Sequence, residues 1–414
     1  MNHKIITYKT GSVVVMEGSK NPGFIYILKS GLLHIESMIR FKNKNLNFYN
    51  PGDTFGFVSG ILKKTHTHTL VAKQESVVIK MTVDDFIIFL RSNQETFLRF
   101  LSYNSEKLRL ILDNLRSLHE IPVGENFPEQ LITDAATYKK MGQDSKACFA
   151  LKKYIETNFP TPKLEGKQEL AIAMLEGIDP KFEYPKPFQD DPVTLVYQKN
   201  DILFVEHEPD DGHLYLLKHG SVRITKLSGE SEILLETIRD GEIFGEMAIL
   251  NHKARTATAV VDEESLIQKL DQNSLLTSLD DSFLTKIFYL LAKRFYLSNR
   301  RFIIRQVEDL NEKLYLQLQL LMDEKRSIHQ TFQKSSNQLS APTSGEIRID
   351  KNLEDLLKML GESNYESEKI SEFLKDKLIR IDEKSITVIS PPEFEHKVGI
   401  MQNRSFRSIK ELVI

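Results

Sequence analysis

Two stretches of this chain superpose on each other without a gap. Glu206 falls on Glu17, and at the same offset of 189 residues Tyr215 falls on Tyr26, Lys218 on Lys29, Gly220 on Gly31 and Ile224 on Ile35. Phe244-Gly245 fall on Phe55-Gly56, Thr256 on Thr67 and Lys269 on Lys80. A register kept over that distance, with apolar alternation in both copies, means one β-rich unit used twice. Its strands are short and bounded by turn formers such as Asn21-Pro22-Gly23, Pro51-Gly52-Asp53 and Pro209-Asp210-Asp211-Gly212. Such punctuation points to an antiparallel roll. A chain of 414 residues has room for two or three domains, so the repeat is only part of the molecule.

Charge excludes some partners. Lys and Arg number 55 against 58 Asp and Glu, so no global charge advertises nucleic acid or an anionic membrane. A single cysteine, Cys148, rules out an intramolecular disulfide and fits a reducing compartment. The opening Met1-Asn2-His3-Lys4-Ile5 has no signal-peptide core, and no apolar run reaches the length of a membrane span. A cytoplasmic protein is expected. There is no Gly-rich nucleotide loop, catalytic-loop motif or nucleophile constellation, so neither an enzyme nor catalytic residues are expected.

The second copy carries the chemistry, in the stretch from Ile243-Phe244-Gly245-Glu246-Met247-Ala248 through Arg255-Thr256-Ala257-Thr258-Ala259. It reads as a strand end, a Gly-Glu turn opening a short helix, then an Arg entering a β-rich run. Backbone N–H groups at a helix start favour an anion. An Arg fork from the next strand supplies counter-charge for a phosphate. Glu246, an acceptor beside an anion site, suits a ribose hydroxyl.

These residues resemble the phosphate-binding cassette of the cyclic-nucleotide-binding domain family, Phe-Gly-Glu-(Leu/Met)-Ala, a short insert, then Arg-(Ala/Ser/Thr)-Ala-Thr. The resemblance implies cAMP or cGMP as ligand, held by Gly245, Glu246, Met247, Ala248, Arg255 and Thr256. It implies an α+β chain with two antiparallel β jelly-roll domains and flanking helices. Phe57 stands where the second copy has Glu246, and His66 where it has Arg255. Phe57 cannot accept a hydroxyl, and His66, with an ordinary pKa of about 6.5, is only partly charged at neutral pH. The first copy is therefore expected to be a non-binding structural partner. His66 and His68 alternate on one strand, but two histidines without further ligands do not make a metal site, and none is expected.

Between the copies, about 125–180, the spacing of Ala136, Tyr138, Gly142, Ala147, Leu151, Tyr154 and Phe159-Pro160 suggests either one tetratricopeptide-like hairpin or a plain helical linker. Pro180 to Pro192 reads as an extended connection. From Ser282 to Lys334 no Pro or Gly interrupts the chain, and Val307, Leu314, Leu321 and Ile328 recur every seven residues. Such a seam predicts one long helix that either pairs two chains in a homodimer, the favoured reading, or packs on its own domain. In the catabolite-activator (Crp/Fnr) branch of the family the corresponding helix covers the base. That correspondence adds Ser298 and Asn299 to the ligand contacts.

After a break at 335–344 the pattern suggests a strand, a helix 352–361 ending at Gly361, a second helix 366–377 and a two-stranded wing. The order resembles the winged helix-turn-helix of the same branch. The second helix carries Glu366, Glu368 and Glu372 against Lys369, and acidic residues outnumber basic ones eleven to eight across 341–390. Phosphate contacts demand the opposite charge. DNA is thus a doubtful partner and a protein partner is open, although Lys397, Arg404, Arg407 and Lys410 follow. The expected domains are 1–120, a degenerate cyclic-nucleotide-binding-like roll; 121–190, a helical linker; 191–340, the binding roll with its dimer helix; 341–395, the winged-helix-like module; and 396–414, a tail.

Overall fold

The computed structural model describes residues 2–36, 47–92, 94–116, 127–157, 165–176, 185–189, 191–271, 281–332, 345–362 and 366–401. The first roll is a sandwich of two four-stranded antiparallel sheets. One runs in the order His3–Tyr8, Ser76–Thr82, Phe24–Ser30, Thr54–Phe55, and the other Val13–Val15, Thr69–Ala72, Leu33–Glu36, Phe48–Tyr49. Helix α1 (Phe57–Leu62) follows the Thr54–Phe55 strand, and α2 (Val83–Arg91) and α3 (Gln94–Arg116) close the unit. The Thr82 hydroxyl caps α2 by accepting from the Asp85 N–H.

Helices α4 (Phe127–Lys140), α5 (Asp144–Glu156) and α6 (Glu165–Leu175) fill the middle of the chain. Gly142 makes the α4–α5 turn at φ +69°. A lone hairpin cannot bury its own face. This one packs Leu131, Tyr138 and Leu151 on Ile202, Val205 and Leu227 of the second roll. The Tyr138 hydroxyl lies 2.8 Å from that of Thr258. Within the expected extended connection, Lys186–Phe188 forms an edge strand on Asp191–Tyr197.

In the second roll the strands join in one seven-stranded antiparallel sheet, because Leu214–Ser228 and Thr258–Leu270 run unbroken where the first copy has separate strands. Register shifts near His219 and Ser221 bend them around the corner, beside Gly220 at φ +108°. Helix α7 (Glu246–Asn251) sits at the repeat position of α1.

The predicted single helix over 282–334 is two helices, α8 (Asp281–Gln306) and α9 (Leu310–Phe332). The break lies at Asp309, whose carboxylate accepts from the Glu312 N–H at 2.8 Å, as an N-cap does. The seam is not a free face either. Val307, Leu314 and Leu321 are buried among Leu356, Ile370, Phe373 and Val388 of this same chain. The side chain of Ile328 lies outside the described residues. A dimer built on that seam is therefore corrected: its apolar residues are the core of the C-terminal module.

A pairing of helices does exist, inside one chain. Helix α3 of the first roll packs on α7 of the second, α8 of the second packs on α1 of the first, and α3 and α8 pack on each other. Phe86, Phe100 and Phe288 interlock at this junction, with Phe100–Phe288 centroids 5.4 Å apart, and Phe57 meets Phe295 edge to face at 5.5 Å. The two rolls thus face each other across a wall of two helices.

The C-terminal module is built on α9, then Ile347–Ile349, α10 (Leu353–Leu360), a 3-10 turn Ser367–Ile370 running into α11 (Ser371–Leu374), and the hairpin Ile379–Ile381/Ile386–Val388. The sheet order places Ile386–Val388 in the centre. Asn352 and Asp355 form a capping box at α10, and Gly361 ends it at φ +77°. The predicted helix 366–377 is shorter. The Asn311 side chain donates to the Lys369 carbonyl and accepts from the Phe373 N–H, taking backbone groups a longer helix would use. Residues 391–401 are helical and bury Phe394 and Val398 in the module, past the boundary expected at 395.

Candidate ligand-binding site

Gly245 opens α7 at φ +78°, a conformation that favours glycine. A Cβ there would meet Arg255 Nη1 at 2.9 Å, so the glycine also permits close approach of the arginine. The Arg255 side chain is 2% exposed. Its Nη1 donates to the Gly245 carbonyl at 2.7 Å, and its Nη2 donates to the His213 carbonyl at 2.9 Å and to the Asp211 carboxylate. The rings of Phe204 and Tyr215 flank it, 4.5 and 5.5 Å from the guanidinium carbon. Its Nε–H is buried without a hydrogen-bond partner.

Glu246, the first residue of α7, accepts from Arg294 of α8 through Oε1, while Oε2 is buried and unpartnered. The same cavity therefore presents an unused donor on Arg255 and an unused acceptor on Glu246. Both are costly to leave unmatched in a protein interior. The cavity, of about 70 Å³, is lined by Gly245, Glu246, Met247, Ala248, Arg255, Thr256 and Ser298 among others. Seven of the eight residues expected at the site thus converge.

Asn299 does not. It lines the cavity of the first roll, together with Phe295. Neighbours on a helix point about 100° apart, so adjacent residues of a wall helix face opposite cavities. Helix α3 divides in the same way: Leu108 and Leu112 line the second cavity, and Asn104, Lys107 and Ile111 the first. Sequence reasoning missed Leu108, Leu112, Arg294 and Arg301 as cavity residues. Arg294, Leu297, Ser298 and Arg301 fall on one helical stripe, a signal that was available for the α8 set. The contribution of α3 carries no local signal, because it depends on how two distant helices pack.

An ion network leads away from the cavity. Arg294 Nε donates to Glu236 at 3.1 Å, and Lys293 pairs with Glu236 at 3.0 Å and with Glu324 of α9 at 3.3 Å. Burial alone would raise the Glu236 carboxyl, but the fields of Lys293 and Arg294 outweigh it and hold the group at about 2. Glu246 is thereby joined to the C-terminal module through four further charged side chains.

In the first roll Phe57 occupies the place of Glu246 and packs on Phe295 and Phe100. His66, in the place of Arg255, lies 3.1 Å from the Ser59 hydroxyl, and burial lowers its pKa. His68 is held at about 3 by burial, with Lys107 and His66 adding to the effect. Burial thus disfavours the charged form of both rings, so neither replaces the guanidinium that Arg255 supplies in the second roll. No group of three metal-ligating side chains occurs among the described residues. Among the same residues no helix is long and apolar enough to cross a membrane.

Residues 5–93 and 194–282 match the family model of the cyclic nucleotide-binding domain. The chain carries two domains of the cyclic-nucleotide-binding family. Among solved structures it is similar to a CRP/FNR-family transcriptional regulator from Thermus thermophilus, at 18% identity and TM-score 0.36, over 50% of this chain and 98% of that one. The regulatory domain of Toxoplasma gondii PKA, crystallised with cAMP, is 15% identical at TM-score 0.21, over 71% and 85% of the two chains. A CooA mutant from Carboxydothermus hydrogenoformans is 19% identical at TM-score 0.37, over 50% and 87%. No curated protein matches the chain.

Proposed function

We propose that the second roll binds one cyclic nucleotide, cAMP or cGMP, and that the chain is a non-catalytic cytoplasmic sensor. The observation that carries this reading is the pair of orphaned groups in one cavity, the Arg255 Nε–H for a phosphate oxygen and Glu246 Oε2 for a ribose hydroxyl. Ser298 and Thr256 supply hydroxyls for a base edge. The wall of α3 and α8 closes the cavity, so the lid a homodimer would provide comes from the same chain. Ligand contact to Glu246 competes with Arg294 and shifts the Glu236–Lys293–Glu324 network toward α9. The C-terminal module is the output. Calorimetric titration of the full chain with each nucleotide tests this, with one site per chain expected. Absence of heat and of any thermal shift with both nucleotides would overturn it.

The element order of the C-terminal module, a strand, a helix, a short second helix and a two-stranded hairpin, resembles a winged helix and keeps Crp-type DNA binding as a second reading. Its surface favours a protein partner. Glu366, Glu368 and Glu372 are exposed, and Lys369 is paired with Glu366 at 3.4 Å. Lys397 is held by Tyr315 and Asp376, each at 2.8 Å, rather than offered to a phosphate. Arg404, Arg407 and Lys410 lie outside the described residues. A gel shift on random and genomic DNA, with and without nucleotide at two salt concentrations, separates the readings. A ligand-dependent, salt-sensitive shift would favour DNA.

A further inference from the structure

We propose that the cavity of the first roll is a second ligand site, built for a planar, largely apolar molecule that carries one carboxylate or similar acidic group. The cavity, about 80 Å³ against about 70 Å³ for its counterpart, is left open rather than filled by the first roll's own side chains. Tyr49, Phe55, Phe57 and Phe295 supply ring surface, which suits a flat apolar body. The loss of Glu246 and Arg255 equivalents removes what a cyclic phosphate needs, but it does not fill the space.

What replaces them, among the described lining residues, is one cation. Lys107 reaches the cavity from α3, its ammonium 4.0 Å from the centroid of Tyr49 and 4.4 Å from that of Tyr103. Burial draws this ammonium down to about 8, with Asp53 opposing. An anionic ligand group would relieve that burial by supplying a charge-assisted partner. The Thr54 hydroxyl lines the same cavity, buried and without a hydrogen-bond partner. A carboxylate has two acceptor oxygens for these donors. A second ligand charge would find no second cation among the described lining residues, since burial disfavours the charged form of His66 and His68.

The site is also wired. Lys107 and Ile111 alternate along α3 with Leu108 and Leu112 of the nucleotide cavity, and Phe295 and Asn299 alternate along α8 with Ser298. A ligand in one cavity therefore acts on both wall helices, and any effect on the other site is reciprocal. The first site itself does not depend on the nucleotide reading.

The test uses 2-naphthoate and its neutral isostere 2-naphthamide, titrated into the full chain. One naphthoate per chain is expected, still binding when the protein is saturated with nucleotide or carries Arg255→Ala. Naphthamide should bind at least about tenfold more weakly, and Lys107→Met should abolish that preference while naphthamide binding persists. The proposal is overturned by absence of naphthoate binding at millimolar concentration, by equal affinity of acid and amide in wild type, or by competition of nucleotide for the same site. These wild-type measurements decide the matter even if the variant fails to fold. Failure of the nucleotide reading would be seen separately, in the cAMP and cGMP titrations.

Discussion

Replacing Arg255 by Ala should damage ligand binding and folding together, by amounts that can be separated. In the folded chain the guanidinium satisfies the Gly245 and His213 carbonyls at 2.7 and 2.9 Å and pairs with Asp211. Truncation strands two carbonyls, at about 1–3 kcal/mol for each that stays dry. Asp211, 38% exposed, recovers much of its loss from water. The expected destabilisation is therefore about 2–6 kcal/mol, read as a lower thermal midpoint without ligand. A bound phosphate loses a charge-assisted bond of about 1.5–3 kcal/mol, so affinity should fall roughly tenfold to over a hundredfold. Arg255→Lys should recover charge but not the fork, and so fall between the two. Calorimetry at a temperature where all three variants are folded makes the comparison. If Arg255→Ala is destabilised yet binds like wild type, the arginine is a structural clamp and the phosphate lies elsewhere.

Ser298→Ala should weaken nucleotide binding, whereas Asn299→Ala should leave it unchanged, because the two side chains face different cavities; a titration of both variants checks this. Leu314→Glu puts a charge into the C-terminal core, where the native residue is fully buried, and should unfold that module while the second roll still binds nucleotide. Limited proteolysis read against calorimetry would show it, and intact resistance to protease would contradict the packing. Stability should fall as pH drops from about 6.5 toward 3, because His68 takes up a proton in the unfolded chain before it can in the folded one, with a slope of at most about 1.4 kcal/mol per pH unit. His68→Phe should flatten that slope in chemical denaturation at stepped pH.

The doubled roll was legible because the repeat is ungapped: α1 and α7, read at the offset of 189 residues, begin and end at matching positions. The cassette was legible because its chemistry is local, a glycine at positive φ, an acid one residue on and an arginine in the loop just before the next strand. The break at Asp309 was legible in principle, since Asp309 and Glu312 stand at capping-box spacing, but the heptad seam, although Gln317 and Glu324 interrupt its companion positions, outweighed it. The seam itself misled for a physical reason. A seven-residue apolar repeat states that a helix face is buried, not which surface buries it, and here α10 and the hairpin reach it first. Asn299 went wrong by one position, which on a wall helix is the difference between two cavities.

The wall of α3 and α8 has a consequence for dose and response. Where two identical chains must meet to close a pocket, sensitivity depends on how much protein the cell holds, and the two pockets must stay alike. Here closure is intramolecular, so the apparent nucleotide affinity should be the same at nanomolar and micromolar protein, with a Hill coefficient of one. The halves are also free to diverge, because a substitution in one is not copied into the other. Phe57 opposite Glu246 and His66 opposite Arg255 are what that freedom looks like at the level of single residues.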